Sequence, residues 1–437
     1  MRTFTIIWFG QLLSTIGSYM TSFALTIWAW QLTGSATTLA LLGFFRQLPC
    51  IPVSLIGGII VDSFNRKQLM ILGDSIAAIS TIGIGLLYLN NNLEIWHLYL
   101  AATLNGGFGQ LQSLAYQTSI SQIVPRSQLT KANSMNSAVH YGSVILAPAL
   151  AGAIYTLIKL PGILLIDFVT FCIAITTLLL VSIPHYQPQA NTEETLFFKL
   201  TVGFREVWRQ PSLRLLLLMT TLFWFFHDLG SAIDDALILA RSTGSSQALA
   251  SIGTAAGMGG VIGAIALSFW GGSQRRVRGM LAGFIGAGVS KTFFGLGRSL
   301  QVWVPAQFCS SLNFPLLLSS ENALWMEKIA PEMQGRVFAA NALVLQIVSA
   351  IATFIGGILA DRVFEPAFTT GGKISELFSY IFGTGAGTGI SLLYVLCSLG
   401  MILVGIVGFC LPKLRRIEEL VPNHWTSFKN DSLSVKN

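Results

Sequence analysis

Apolar runs of bilayer-spanning length recur along almost the whole chain, each stopped by a short polar turn. A helical crossing of the hydrocarbon core takes about 20 apolar residues, and a chain in lipid must satisfy its backbone groups internally. Twelve such runs can be laid out, at 4–31, 36–61, 69–90, 95–122, 132–158, 161–183, 213–240, 246–270, 278–297, 301–327, 336–360 and 388–411. They are too long and continuous for the alternating strands of a membrane barrel. Only 10% of the 437 residues are charged and 53% are hydrophobic, too little charge to cover a soluble surface of this size. The expected class is an all-α polytopic membrane protein with twelve transmembrane helices. Trp8, Trp28, Trp30, Trp96, Trp270 and Trp303 fall near span ends, where indole favours the interface.

The cations set the orientation. With the N-terminus inside, 19 of the 26 Lys and Arg fall in cytoplasmic segments and 5 outside, while Arg46 and Lys291 lie within spans. Positive-inside bias then puts both termini in the cytoplasm of a multi-pass protein of the cell inner membrane. The net charge of +7 is explained by these turns, so no nucleic-acid partner is expected. The first run has no cleavage-like end, so it reads as a span and not a cleavable signal. Five scattered cysteines form no C-x-x-C, so neither a metal site nor a disulfide framework follows. No phosphate loop or catalytic motif is present, which argues against an enzyme, an ATP-driven pump and a bound cofactor.

The longest cytoplasmic link divides the chain into an N-terminal bundle (1–183), a linker (184–212), a C-terminal bundle (213–412) and a tail (413–437). Within the linker, Leu196, Phe197, Leu200, Phe204, Val207 and Trp208 share one face of an amphipathic helix. That face suits either the membrane surface or the protein's own cytoplasmic side. VPRSQLTKANSMNSAV (124–139) and APEMQGRVFAANALVL (330–345) precede the fifth span of each half with similarly spaced Pro, Gln and Ala-Asn, which suggests a duplicated six-helix unit.

The turn GGIIVDSFNRK (57–67) carries the most structured polar signal. Gly58 lies one helical turn before Asp62 and Arg66 one turn after it, so a small face, an acid and two cations (Arg66, Lys67) gather at one helix end. A carboxylate there can hold a cation or the N-terminus of a facing helix. Gly58-x-x-x-Asp62 with Arg66-Lys67, after the second of twelve spans, resembles the major facilitator superfamily. Ser63 and Asn65 replace that motif's usual Arg and Gly. Stretches 8–37, 45–75 and 321–339, GGILADRVFEPAF (356–368) and the terminal LRRIEELVP are similar to the macrolide-efflux and enterobactin-exporter branch of drug:proton antiporters. Ala147-Pro148-x-x-Ala151-Gly152 resembles the antiporter signature G-P-x-x-G-G, with Ala at two Gly positions, and Pro148 with Gly152 would bend and closely pack that span. The resemblance implies two pseudo-symmetric six-helix bundles, a monomeric transport unit, and a small-molecule substrate exchanged with protons across the bilayer.

Ionisable groups at bilayer depth cost about 2.5–3.5 kcal/mol each on insertion scales, so each is a functional candidate. Gly58, Asp62, Arg66, Lys67, Arg46 and Asp74 are the candidates for a cytoplasmic gate, in which Arg46, Asp62 and Asp74 suggest a network serving either as a structural ion pair that fixes helices or as a proton relay. Span seven carries His227, Asp228, Asp234 and Asp235, with Asp228 and Asp235 on nearly one face. Asp228, Asp235, His227 and the span-ten Glu321 are the candidates for binding protons or substrate, while Asp234 is expected at the outer mouth in solvent. Asp167 is expected to bond neighbouring hydroxyls as a packing group, and Lys291 to pair an acid or to snorkel. The function expected is a proton-coupled exporter of a hydrophobic or amphipathic small molecule, such as a drug, a macrolide or a siderophore-like compound. The alternatives are an uptake permease and a transport-inactive sensor or assembly partner that keeps the fold.

Overall fold

The computed structural model describes residues 1–181, 196–369 and 373–420. The polar part of the expected linker, 184–195, the side chains of Leu196, Phe197 and Leu200, and the tail beyond 420 lie outside the described residues.

Local sequence explains where the helices start and stop. α1 (Arg2–Thr33) ends at Gly34, whose φ of 58° suits a residue without a Cβ. The expected second span is two helices, α2 (Ala36–Gln47) and α3 (Cys50–Ser63), because Pro49 has no N–H to continue the ladder. α4 (Arg66–Leu89) starts at Asn65, whose side chain accepts from the Lys67 N–H at 3.0 Å and the Gln68 N–H at 3.4 Å. The residue standing where the family motif has Gly is therefore a helix cap. α5 spans Ile95–Ile123. Spans five and six run on as α6 (Leu129–Leu179), broken at Lys159 (φ 54°, ψ −167°) just before Pro161.

α7 (Leu196–Arg209) is the amphipathic helix of the linker, and α8 (Pro211–Arg241), α9 (Ser246–Trp270), α10 (Arg276–Leu296), α11 (Leu300–Lys328) and α12 (Pro331–Leu359) follow. α12 continues through a wide turn, Ala360–Phe364, into α13 (Glu365–Thr369). α14 (Lys373–Phe382) and α15 (Thr388–Cys410) complete the spans, and α16 (Pro412–Arg415) and α17 (Ile417–Leu420) end the described chain. Nine described helical segments are long and apolar enough to cross a bilayer. α5 and α11 are as long as the others but more polar. α5 gives Asn105, Gln110 and Gln112 to an internal cavity, and α11 buries Ser310 and Glu321.

The face bearing the 62–67 turn, here the basic face, is tied together within each half. Arg66 donates to the Thr118 carbonyl at the end of α5, and Lys67 Nζ to Leu179 and Val181 at the end of α6 (3.2, 3.2 and 2.6 Å). Cations there satisfy exposed helix C-termini. In the C-terminal half Glu418 of α17 accepts from the Arg276 N–H at 2.8 Å, and Arg276 pairs with Glu327 at 3.1 Å. α7 docks on α12: a Cβ at Gly203 would strike the Arg336 carbonyl, and Val207 is buried while Trp208 stays exposed. α7 thus packs on the protein's own face through Gly203 and Val207, with Trp208 turned away from it.

On the opposite face two close seams join the halves. Gly152 of α6 sits against Ala250 of α9, and Gly253 against Pro148. Gly357 of α12 lies against Thr37 and Ala40 of α2. The residues with the antiporter-like spacing thus sit at a seam. Trp303 departs from the interfacial expectation, being 2% exposed within the core. α14 was not anticipated; it is a short amphipathic helix whose Leu377 and Tyr380 point outward.

Candidate substrate cavity and buried charges

A cavity of about 640 Å³ opens between α1, α2, α4, α5 and α6, with Ser231 and Asp235 of α8 and Thr353 of α12 on its far wall. α1 faces it with Gln11, Ser14, Ser18, Thr21 and Leu25, spaced three or four apart and so on one helix face. Besides Asp235, two carboxylates of the N-terminal half sit in its wall. Asp74 of α4 accepts from Gln11 Nε2 at 3.0 Å, and Gln11 Oε1 in turn accepts from Gln112 Nε2 at 2.8 Å. Gly73 makes room for this, since a Cβ there would meet Gln112 at 2.6 Å. Asp167 of α6 accepts from Thr81 Oγ1 at 3.1 Å, and the Ser18 and Thr21 hydroxyls of α1 also lie within reach of its carboxylate. Hydroxyls from two helices thus hold this buried acid in the cavity wall. Arg46 also lines the cavity, so three acids face one cation.

The expected site residues are divided by this geometry. Asp235 reaches the cavity and is exposed to it. Asp228 does not line it: its Oδ1 lies 2.8 Å from His227 Nδ1, and His227 is packed among Phe223, Trp224 and Phe314. Glu321 is 5% exposed, beside the Trp224 and Trp325 indoles. Lys291 is buried, donates to the Tyr394 hydroxyl at 3.0 Å, and lies near enough to Asp228 and Asp234 for their charges to interact. Neither the snorkelling nor the direct ion pair expected of it is observed. Asp234, expected in solvent, is half-buried with Oδ1 unbonded among the described residues.

The Arg46–Asp62–Asp74 network is not formed. Asp74 and Arg46 belong to the cavity, whereas the Asp62 side chain is 58% exposed and pairs with Arg66 at 3.3 Å. No described atom of another element stands within 4 Å of a Cβ placed on Gly58, so no described helix packs closely on that small face in this state. Ser63 bonds back to the Ile59 carbonyl at 2.7 Å. Asp167 and the α1 polar stripe carry more of the cavity than sequence reasoning assigned them. The period of Gln11, Ser14, Ser18 and Thr21 was the available signal.

Described residues that are helical throughout their regular elements, with a polar cavity walled by both sets of spans and close seams joining the sets at one face, are the features of a membrane transporter. Residues 7–353 match the Major Facilitator Superfamily. The chain belongs to that superfamily. It is 26% identical over 365 residues to macrolide efflux protein A of Streptococcus pyogenes, covering 82% of this chain and 90% of the relative. It is 27% identical over 263 residues to the enterobactin exporter EntS of Shigella flexneri, covering 59% and 60%. The nucleoside transporter NupG superposes with a TM-score of 0.69 at 12% identity, covering 93% of this chain and all of that one, which supports the major facilitator fold. The protein is a multi-pass membrane transporter, not an enzyme, acting on small molecules in a bilayer.

Proposed function

We propose that the protein is a proton-coupled exporter of an amphipathic small molecule, working by alternating access as a monomer in the bacterial inner membrane. The basic face and both termini lie in the cytoplasm, as the loop charges require. The observation that carries the reading is the cavity: three carboxylates and many hydroxyl and amide groups, between halves that meet closely on the face opposite the basic loops. Such a lining suits a molecule with hydroxyls and a cationic amine, and macrolide efflux protein A is a relative by name. Asp235, with Asp74 and Asp167, binds either protons or the substrate amine, and that competition couples the two fluxes. The halves 1–183 and 213–412 rock about the cavity. Asp62 belongs to the cytoplasmic gate; it is exposed and paired with Arg66 in the inward-open state, and holds a facing helix N-terminus when that gate closes. Asp228 and Glu321 brace the C-terminal half.

The test is transport of a macrolide probe by oriented proteoliposomes under an imposed proton gradient. Export driven by the gradient in wild type and lost in Asp235→Asn is expected. Transport indifferent to the gradient, or running only inward, overturns the coupling or the direction.

A further inference from the structure

The outer seam is fastened by a carboxylate that no transport role yet includes. Asp361, at the end of α12, accepts from three donors at the start of α2: Ser35 Oγ at 2.6 Å, the Ala36 N–H at 3.0 Å and the Thr37 N–H at 2.7 Å. Thr37 Oγ1 donates to the Gly357 carbonyl at 2.9 Å, and Gly357 leaves room for Thr37 and Ala40 to approach. An anion at a helix N-terminus with direct N–H donors is a strong, charge-assisted contact. It joins the two halves of the chain across the closed end of the cavity.

The sequence around it repeats the basic-face turn: GGILAD at 356–361 against GGIIVD at 57–62. Position by position the two behave alike only within their own halves. Gly57 packs on Leu114 of α5, and Gly356 on Leu229 of α8. The second glycine and the acid differ. Gly357 and Asp361 engage α2 of the other half, whereas Gly58 faces open space and Asp62 is solvent-exposed. The N-terminus of α12, the counterpart of the α2 start, has Ala330 at its cap and no side-chain acceptor from that residue.

We propose that Asp361 is a releasable outer latch: its carboxylate caps α2 only while the face opposite the basic loops is closed, and it must let go for the cavity to open there. α2 walls the cavity through Leu39 and Arg46, and α12 through Thr353, so opening on that side must part these helices where Asp361 joins them. Glu365, one turn on, is a built-in contrast. It accepts from the N–H groups of Gly387, Gly389 and Ile390 at 2.7, 3.0 and 3.3 Å, capping α15 within its own half, and need not release.

The test uses the full chain in nanodiscs with its native cysteines replaced, carrying nitroxide pairs at Asn92→Cys with Gln301→Cys on the outer face and at Ser127→Cys with Gln274→Cys on the basic face. Pulsed electron resonance reads the distances, with no dependence on coupling ion or substrate. Asp361→Asn is expected to raise the outward-open to inward-open ratio about tenfold, as the loss of a charge-assisted contact implies. Asp62→Asn added to it returns the ratio towards wild type, and Glu365→Gln leaves it unchanged. Should Asp361→Asn not fold, Ser35→Ala is expected to shift the ratio the same way by less. Unchanged distances in the foldable latch variant, or an equal shift in Glu365→Gln, would reduce Asp361 to a static cap and overturn the proposal.

Discussion

The two halves of the transporter hold their membrane-embedded charges in opposite ways. In the N-terminal half, Asp74 and Asp167 sit in the wall of an open, hydroxyl-rich cavity, bonded by amide and hydroxyl side chains of neighbouring helices. In the C-terminal half, His227, Asp228 and Lys291 are enclosed by aromatic rings and by one another. The first arrangement leaves acceptor capacity for something that enters. The second satisfies most of its polar atoms internally. Asp235 belongs to the C-terminal half by sequence and to the cavity by position, so it is where the two sets meet.

That contrast can be broken most directly at the cavity. Asp167→Asn or Asp235→Asn is expected to lower proteoliposome transport by roughly thirtyfold or more, as loss of a desolvated charged contact implies. Undiminished transport in both would remove the distinction between the sets. In the enclosed cluster, Lys291→Met is expected to lower stability by about 1–3 kcal/mol, the cost of leaving the buried Tyr394 hydroxyl without its partner, with the loss of the cation near Asp228 and Asp234 adding to it. Adding Asp228→Asn should recover part of that in thermal denaturation, whereas no recovery would uncouple Lys291 from Asp228. At the α6–α9 seam, Gly152→Val pushes into Ala250, and overpacking of this kind costs about 1–3 kcal/mol. It should also favour outward opening in the spin-label assay; a drop in melting temperature with unchanged distances would make the seam mere packing. The smallest effect is expected at Asn65→Ala, where loss of the α4 cap costs about 1 kcal/mol with transport retained. A transport defect without a stability change there would give Asn65 a gating role.

The spans were legible because a bilayer imposes length and apolarity on each, and their ends because Gly34, Pro49 and Asn65 act locally. The site was only half legible. Every in-span acid could be seen in the sequence, but which of Asp228, Asp234 and Asp235 meets the cavity depends on the rotation of α8, and packing against α12 and α15 sets that. Asp167 was expected to bond neighbouring hydroxyls and does so, but that those hydroxyls line the cavity with it depends on the packing of α1 and α4 against α6. α14 escaped notice because a ten-residue amphipathic stretch between spans reads as a loop.

The central claim is that cavity acids, and not the sealed ones, exchange protons with substrate. Proton release on adding a macrolide to purified protein in weakly buffered detergent, read with a pH-sensitive dye, tests it most directly. The account predicts release in wild type and in Asp228→Asn, and none in the Asp167→Asn, Asp235→Asn double variant. Release that survives in the double variant and vanishes in Asp228→Asn would contradict it.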